Sequence, residues 1–176
     1  MDDNFLAYLD RLEILTFFSG FPLVYALILL LAGNQPSKTG IRNKLPPLLP
    51  FAYALVGILY LGLQLKNLSP DFSVENIRRS FQQPYLKAWG LLAILFWIPA
   101  ISRKIIASLL HSLVFFFLLI KDLFYQQFQA TSFDNNVVKN NMKIYTASLI
   151  LNLVALAVIT VLYSLLNYYN KRRLRP

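Results

Sequence analysis

The chain has 176 residues, of which 57% are hydrophobic and only 14% charged. Soluble domains run at about 45–50% apolar and about 25% charged, so a chain that departs both ways, in long blocks, has lipid as its solvent and no room for a second folded domain. Its 17 Lys and Arg against 8 Asp and Glu give a net charge of +9. These cations sit at the ends of apolar blocks, where they set topology and meet anionic headgroups, so no nucleic-acid partner is expected. The absence of cysteine excludes disulfides, thiolate catalysis and iron–sulfur ligation.

Residues 4–15 place Phe5, Leu9 and Leu12 on one helical face and Asp10 and Glu13 elsewhere, an amphipathic lead-in to a first span over 12–33. The acidic lead, the length of the block and the lack of an A-x-A site argue against a cleaved signal. Gly20 and Pro22 are expected to kink this span, because proline lacks a backbone donor. A basic loop over 34–44 (Lys38, Arg42, Lys44) leads to a second span over 45–65, opened by Pro46, Pro47 and Pro50 where a first helical turn tolerates them. In the polar segment 66–84, Ser73, Glu75, Arg78 and Arg79 fit a capped helix lying on the surface.

Residues 85–124 form one apolar stretch interrupted by Pro99 and Ser102-Arg103-Lys104. As a single helix it would be about 60 Å long, twice the hydrocarbon core, and would bury Arg103 and Lys104 at about 2.5–3.5 kcal/mol each. A tight hairpin near Pro99–Lys104 avoids both problems and gives a third span over 86–101 and a fourth over 105–124. The polar run 125–143 reads as a loop. A last span over 144–168 ends in Tyr168-Tyr169 and a basic tail of Lys171, Arg172, Arg173 and Arg175. The expected fold class is therefore all-α, a polytopic membrane bundle of five transmembrane helices (four if 85–124 is one bent element) forming a single integral membrane domain over 1–176.

With five spans, one side receives loop 34–44, turn 102–104 and tail 170–176, which hold nine Lys and Arg. That side should face the cytoplasm and the N-terminus the outside, in a bacterial inner (cytoplasmic) membrane.

Two helix faces carry polar groups. At 100° per residue, Lys104, Ser108, His111, Phe115 and Asp122 share a face of the fourth span. Such a face is an ion or proton path if its charges communicate, and a packing face if they serve local bonds. On the last span Ser148, Asn152 and Ala155 share a face that fits close helix packing better than a pore lining. Catalytic, cofactor and metal sites are not expected: the single His cannot form a two-histidine site, there is no G-x-S-x-G or P-loop, and a Ser–Lys dyad of Ser102 or Ser108 with Lys104 is a weak signal at a helix end. The function expected is that of a non-enzymatic subunit or scaffold of a membrane complex, partnered by anionic lipid and by other subunits or its own copies. A small oligomeric channel or transporter using Lys104, His111 and Asp122 is the alternative, and an intramembrane enzyme the second alternative.

Overall fold

A computed structural model describes residues 3–33, 44–69, 73, 84–129 and 135–173. Among these residues all regular structure is helical: α1 (Asp3–Phe18), α2 (Phe21–Gly33), α3 (Leu49–Leu68), α4 (Pro84–Leu91), α5 (Pro99–Ser102), α6 (Ile105–Gln129) and α7 (Asn135–Arg173), with 3-10 turns over Pro46–Leu48 and Leu92–Trp97. Among the described residues four stretches are each long and apolar enough to cross a membrane, Arg11–Leu31, Pro46–Leu68, Ile105–Tyr125 and Met142–Arg173. The chain is thus an integral membrane protein built as an all-α bundle. Loop residues 34–43, and the expected surface helix apart from Ser73 itself, lie outside the described residues.

The first crossing stretch is broken where glycine and proline lead the chain to break, with a turn at Ser19-Gly20 between α1 and α2. The third apolar segment is a composite. α4 passes into the 3-10 run Leu92–Trp97, Ile98 is extended, and α5 closes the segment. This composite runs antiparallel to α3. Gly90 lies against Tyr60, Ala93 against Gly57, Trp97 edge-on to Phe51, and Pro99 and Ser102 close to Pro47. A 3-10 helix rises about 2.0 Å per residue against about 1.5 Å in an α-helix, so residues 84–97 reach about 24 Å instead of about 21 Å. A segment too short to cross as α-helix therefore passes most of the way along its neighbour. Gly57 makes the approach possible, since a Cβ there would stand 3.0 Å from that of Ala93.

The chain reverses at Arg103-Lys104, with the Arg103 N–H donating to the Pro99 carbonyl and the Lys104 N–H to that of Ile101. Both cations are exposed at the tip, which avoids their burial cost. The expected loop over 125–143 is mostly helix instead: α6 runs on to Gln129 and α7 starts at Asn135. A helix keeps its backbone bonds whether lipid or water surrounds it, so loss of hydropathy does not mark a helix end. α7, with 39 residues, is about 58 Å long, nearly twice the hydrocarbon thickness.

The core lies where α1, α2, α3 and the 3-10 run meet α6 and α7. Tyr53, Tyr60, Phe18, Phe21 and Phe115 are its largest fully buried side chains. Phe18 alone contacts the rings of Phe17, Tyr53, Tyr60 and Phe115. Lipid is as apolar as leucine, so such a core is held by packing and ring geometry rather than by expulsion of water.

Candidate functional site

His111 lies in the body of α6 and is 8% exposed. Its Nδ1 is 2.8 Å from the Tyr53 hydroxyl and its Nε2 2.9 Å from the Trp89 carbonyl oxygen. A carbonyl can only accept, so Nε2 carries the hydrogen, Nδ1 offers a lone pair, and the Tyr53 hydroxyl donates to it. The bond network thus fits the neutral Nε2–H tautomer, with both ring nitrogens engaged. The Trp89 indole stacks flat on the imidazole, 4.7 Å between centroids and 7° from parallel. Its Nε1–H returns a long bond of 3.4 Å to the His111 carbonyl. Tyr53, Phe96 and Phe115 close the other sides with ring centroids at 5.6, 5.8 and 5.9 Å. Trp89 is 37% exposed, so its outer face covers the imidazole as a lid toward the lipid.

The Trp89 carbonyl lies near the end of α4, where the chain changes from α-helical to 3-10 bonding. A donor from another helix at that point satisfies an acceptor that the change of helix type leaves poorly served. Chemically, the Tyr53–His111 pair is a short hydrogen-bonded chain that ends on a backbone carbonyl, and a carbonyl cannot pass a proton on.

No protein-family model matches the chain, and no curated protein or solved structure matches it. What these residues do must come from their geometry.

The structure does not bring Lys104, His111 and Asp122 into one network. Lys104 is exposed at the hairpin, and Ser108, fully buried, donates to the Ile105 carbonyl at 2.8 Å. Ser102 donates to the Pro99 carbonyl, so neither serine is bonded to Lys104. Asp122 pairs with Arg11 across helices at 2.7 Å, the two side chains 13% and 25% exposed. Asp122 Oδ2 and Arg11 Nε are buried with no hydrogen-bond partner. A shared helical face is not a shared site: at 1.5 Å per residue His111 is about 10 Å along the axis from Lys104 and about 16 Å from Asp122. Beside the Arg11 pair, Glu13 accepts from Gln64 and from Asn67, which ties α1 to the last turns of α3.

Tyr53, Trp89 and Arg11 are the functional residues that sequence reasoning missed. Tyr and Trp within apolar spans carry no mark that separates an inward hydrogen-bonding role from a lipid-facing one. Arg11 did carry a signal, since a cation at the start of the first span stands level with a carboxylate near the end of an antiparallel one.

The second polar face has a different partner, the break between α1 and α2. A helix end leaves carbonyls without acceptor bonds and a helix start leaves N–H groups without partners. Asn152 Nδ2 donates to the Phe17 carbonyl at 2.8 Å and also to the Ser148 carbonyl of its own helix at 2.8 Å. Ser148 Oγ accepts the Gly20 N–H at 2.8 Å. The two α7 side chains therefore satisfy one exposed carbonyl and one exposed N–H of the break. Gly20 permits the contact, because a Cβ there would stand 2.6 Å from the Leu149 nitrogen. Ala155, also buried, continues the face one turn on. Asn152 Oδ1 and Ser19 Oγ are buried here with no hydrogen-bond partner. Among the described residues no group of three His, Asp or Glu side chains converges to hold a metal.

Proposed function

We propose that the protein is a non-enzymatic multi-pass scaffold, a subunit that assembles with other membrane helices or with its own copies. One observation carries the reading: both ring nitrogens of His111 join helices, one through Tyr53 and the other through the Trp89 carbonyl. A proton path needs a side chain or water beyond Nε2, and the bond made there leads into the backbone. α7 supports the assembly half of the proposal. Its outer face, with Ile150, Val154, Val158, Val161 and Leu165, is apolar and exposed through the membrane-crossing length. Its polar start extends past any bilayer, so a partner meets it in both phases.

The setting assigned is a bacterial inner membrane. Residues 32–46, 98–105 and 164–176 contain nine Lys and Arg and no Asp or Glu. All eight acidic residues fall in the other segments, where eight cations balance them. The whole net charge of +9 thus belongs to segments that enter or leave helices on one side, and the positive-inside rule makes that side cytoplasmic, with the C-terminus, and the N-terminus external. Compartment reporters fused at either end should score on opposite sides. The same side for both would refute the five-crossing topology.

Liposomes loaded with a pH-sensitive dye test the function. Vesicles carrying the isolated protein, or its His111→Gln variant, should leak protons no faster than empty ones. A flux above background that His111→Phe abolishes, in protein that still unfolds cooperatively, would refute the scaffold reading in favour of an oligomeric channel.

A further inference from the structure

At the basic end of the bundle a groove of about 330 Å³ opens between the chain entering α3 and the last turns of α7. We infer that this groove is a binding site for the phosphate headgroup of an acidic phospholipid. Its cations come from two separate elements, Lys44 before α3 and Lys171 at the end of α7. Both are exposed and no described salt bridge involves either. No acidic residue lines the groove, and none occurs in the sequence of the segments around it, residues 32–46 and 164–176. A phosphodiester entering it meets two ammonium groups and no competing carboxylate.

The neutral groups in the groove divide by role. Thr160 and Ser164 already donate their hydroxyls to the carbonyls of Leu156 and Thr160, one turn back. Asn167, with an amide that donates and accepts, and Tyr163, with a phenolic O–H, are the neutral side chains suited to a phosphate or glycerol oxygen. Tyr168 also lines the groove, and its ring carries the Arg172 guanidinium 4.8 Å from the centroid, which holds a third cation near the rim. Below this polar tier the wall turns apolar with Leu45 and the buried Leu48. Further along α7, on the same face as Thr160 and Ser164, Ala157 and Leu153 are exposed. A headgroup among the lysines with an acyl chain along that face meets each part of the groove with its own chemistry. Basic pockets between membrane helices on the cytoplasmic side bind anionic headgroups in this way. A soluble phosphate ester would use the lysines but not the apolar wall, so the lipid is the occupant assigned. The site depends on the basic end facing an anionic leaflet and not on whether the protein is a scaffold or a channel.

The test is native mass spectrometry of the full-length protein released from detergent, titrated with phosphatidylglycerol or with phosphatidylcholine of the same acyl chains. The wild type should retain the first phosphatidylglycerol about tenfold more tightly than phosphatidylcholine. Lys44→Gln with Lys171→Gln should abolish that preference. Arg103→Gln with Lys104→Gln, which removes two cations of the same end outside the groove, should leave it. Equal loss in both double variants would overturn the site in favour of diffuse surface charge, and no preference in the wild type would overturn it outright. Competition by glycerophosphate at the same concentration as the lipid would overturn the lipid assignment and make the groove a site for soluble phosphate. A compartment reporter placing the C-terminus outside would turn the basic end away from the cytoplasmic leaflet and overturn the lipid assignment, whereas proton flux through His111 would overturn the scaffold reading and leave the site intact.

Discussion

Replacing Gly20 by alanine tests how the broken first crossing is held in the bundle. The added Cβ would lie 2.6 Å from the Leu149 nitrogen and 2.7 Å from the Ser148 carbonyl carbon. Both are backbone atoms, so no rotamer change relieves the clash, and α7 must back away. Overpacking of this kind costs about 1–3 kcal/mol. Retreat of α7 also lengthens the bonds from Gly20 N–H to Ser148 and from Asn152 to the Phe17 carbonyl, each worth about 0.6 kcal/mol on average within a membrane. Against this stands a gain of about 0.4–1 kcal/mol from the stiffer unfolded chain. The net expectation is a loss of about 1–3 kcal/mol. Gly62→Ala is the matched control, since a Cβ there meets nothing within 4 Å and should be neutral or stabilising by up to about 1 kcal/mol. Reversible unfolding in mixed micelles of rising SDS content, followed by the fluorescence of Trp89 and Trp97, reads both. Because the contacts are shared, the cost of Gly20→Ala should fall in an Asn152→Leu background. Gly20→Ala as stable as Gly62→Ala would refute the close approach of α7 to the break.

His111→Phe should cost about 1–3 kcal/mol in the same assay by leaving the Tyr53 hydroxyl and Trp89 carbonyl unpaired, whereas His111→Gln should cost less because an amide can serve both. Adding Tyr53→Phe to His111→Phe should recover part of the loss, and full additivity would argue against the bond. Arg11→Met strands a half-buried carboxylate and should cost about 1–3 kcal/mol, between the limits for exposed and buried pairs, while Arg11→Met with Asp122→Leu should recover most of it. Asn152→Leu alone should cost about 0.5–2 kcal/mol, read as loss of unfolding cooperativity between α1–α2 and α7 with membrane insertion intact.

Much of the fold was legible because bilayer thickness and charge burial leave few choices. Pro99 and Arg103-Lys104 mark a reversal, and Gly20 and Pro22 a kink, which the structure sharpens into a turn at Ser19-Gly20 between two helices. Residues 125–143 misled because hydropathy reports where lipid ends and says nothing of where helical hydrogen bonding ends. The cation next to Asp122 in sequence is Lys121, yet the partner of Asp122 is Arg11 on another helix, and pairing across helices leaves no local spacing to read. The His111 clamp was legible only as a question. A single imidazole was visible, but its partners are a tyrosine like nine others in the chain and a carbonyl freed by a change of helix type that no residue announces.

The 3-10 run Leu92–Trp97 has a consequence for side-chain order beyond its reach. With three residues per turn, side chains three apart stand in straight files parallel to the axis instead of winding around it. Ala93 and Phe96 form the buried file, one against Gly57 and the other against His111, while Leu92 and Leu95 form an exposed one. The two files never exchange roles along the run, so the segment shows the bundle one unvarying edge and the lipid another. Inserting one residue would turn everything beyond it by about 120°, against about 100° in an α-helix, and carry Phe96 out of the His111 clamp.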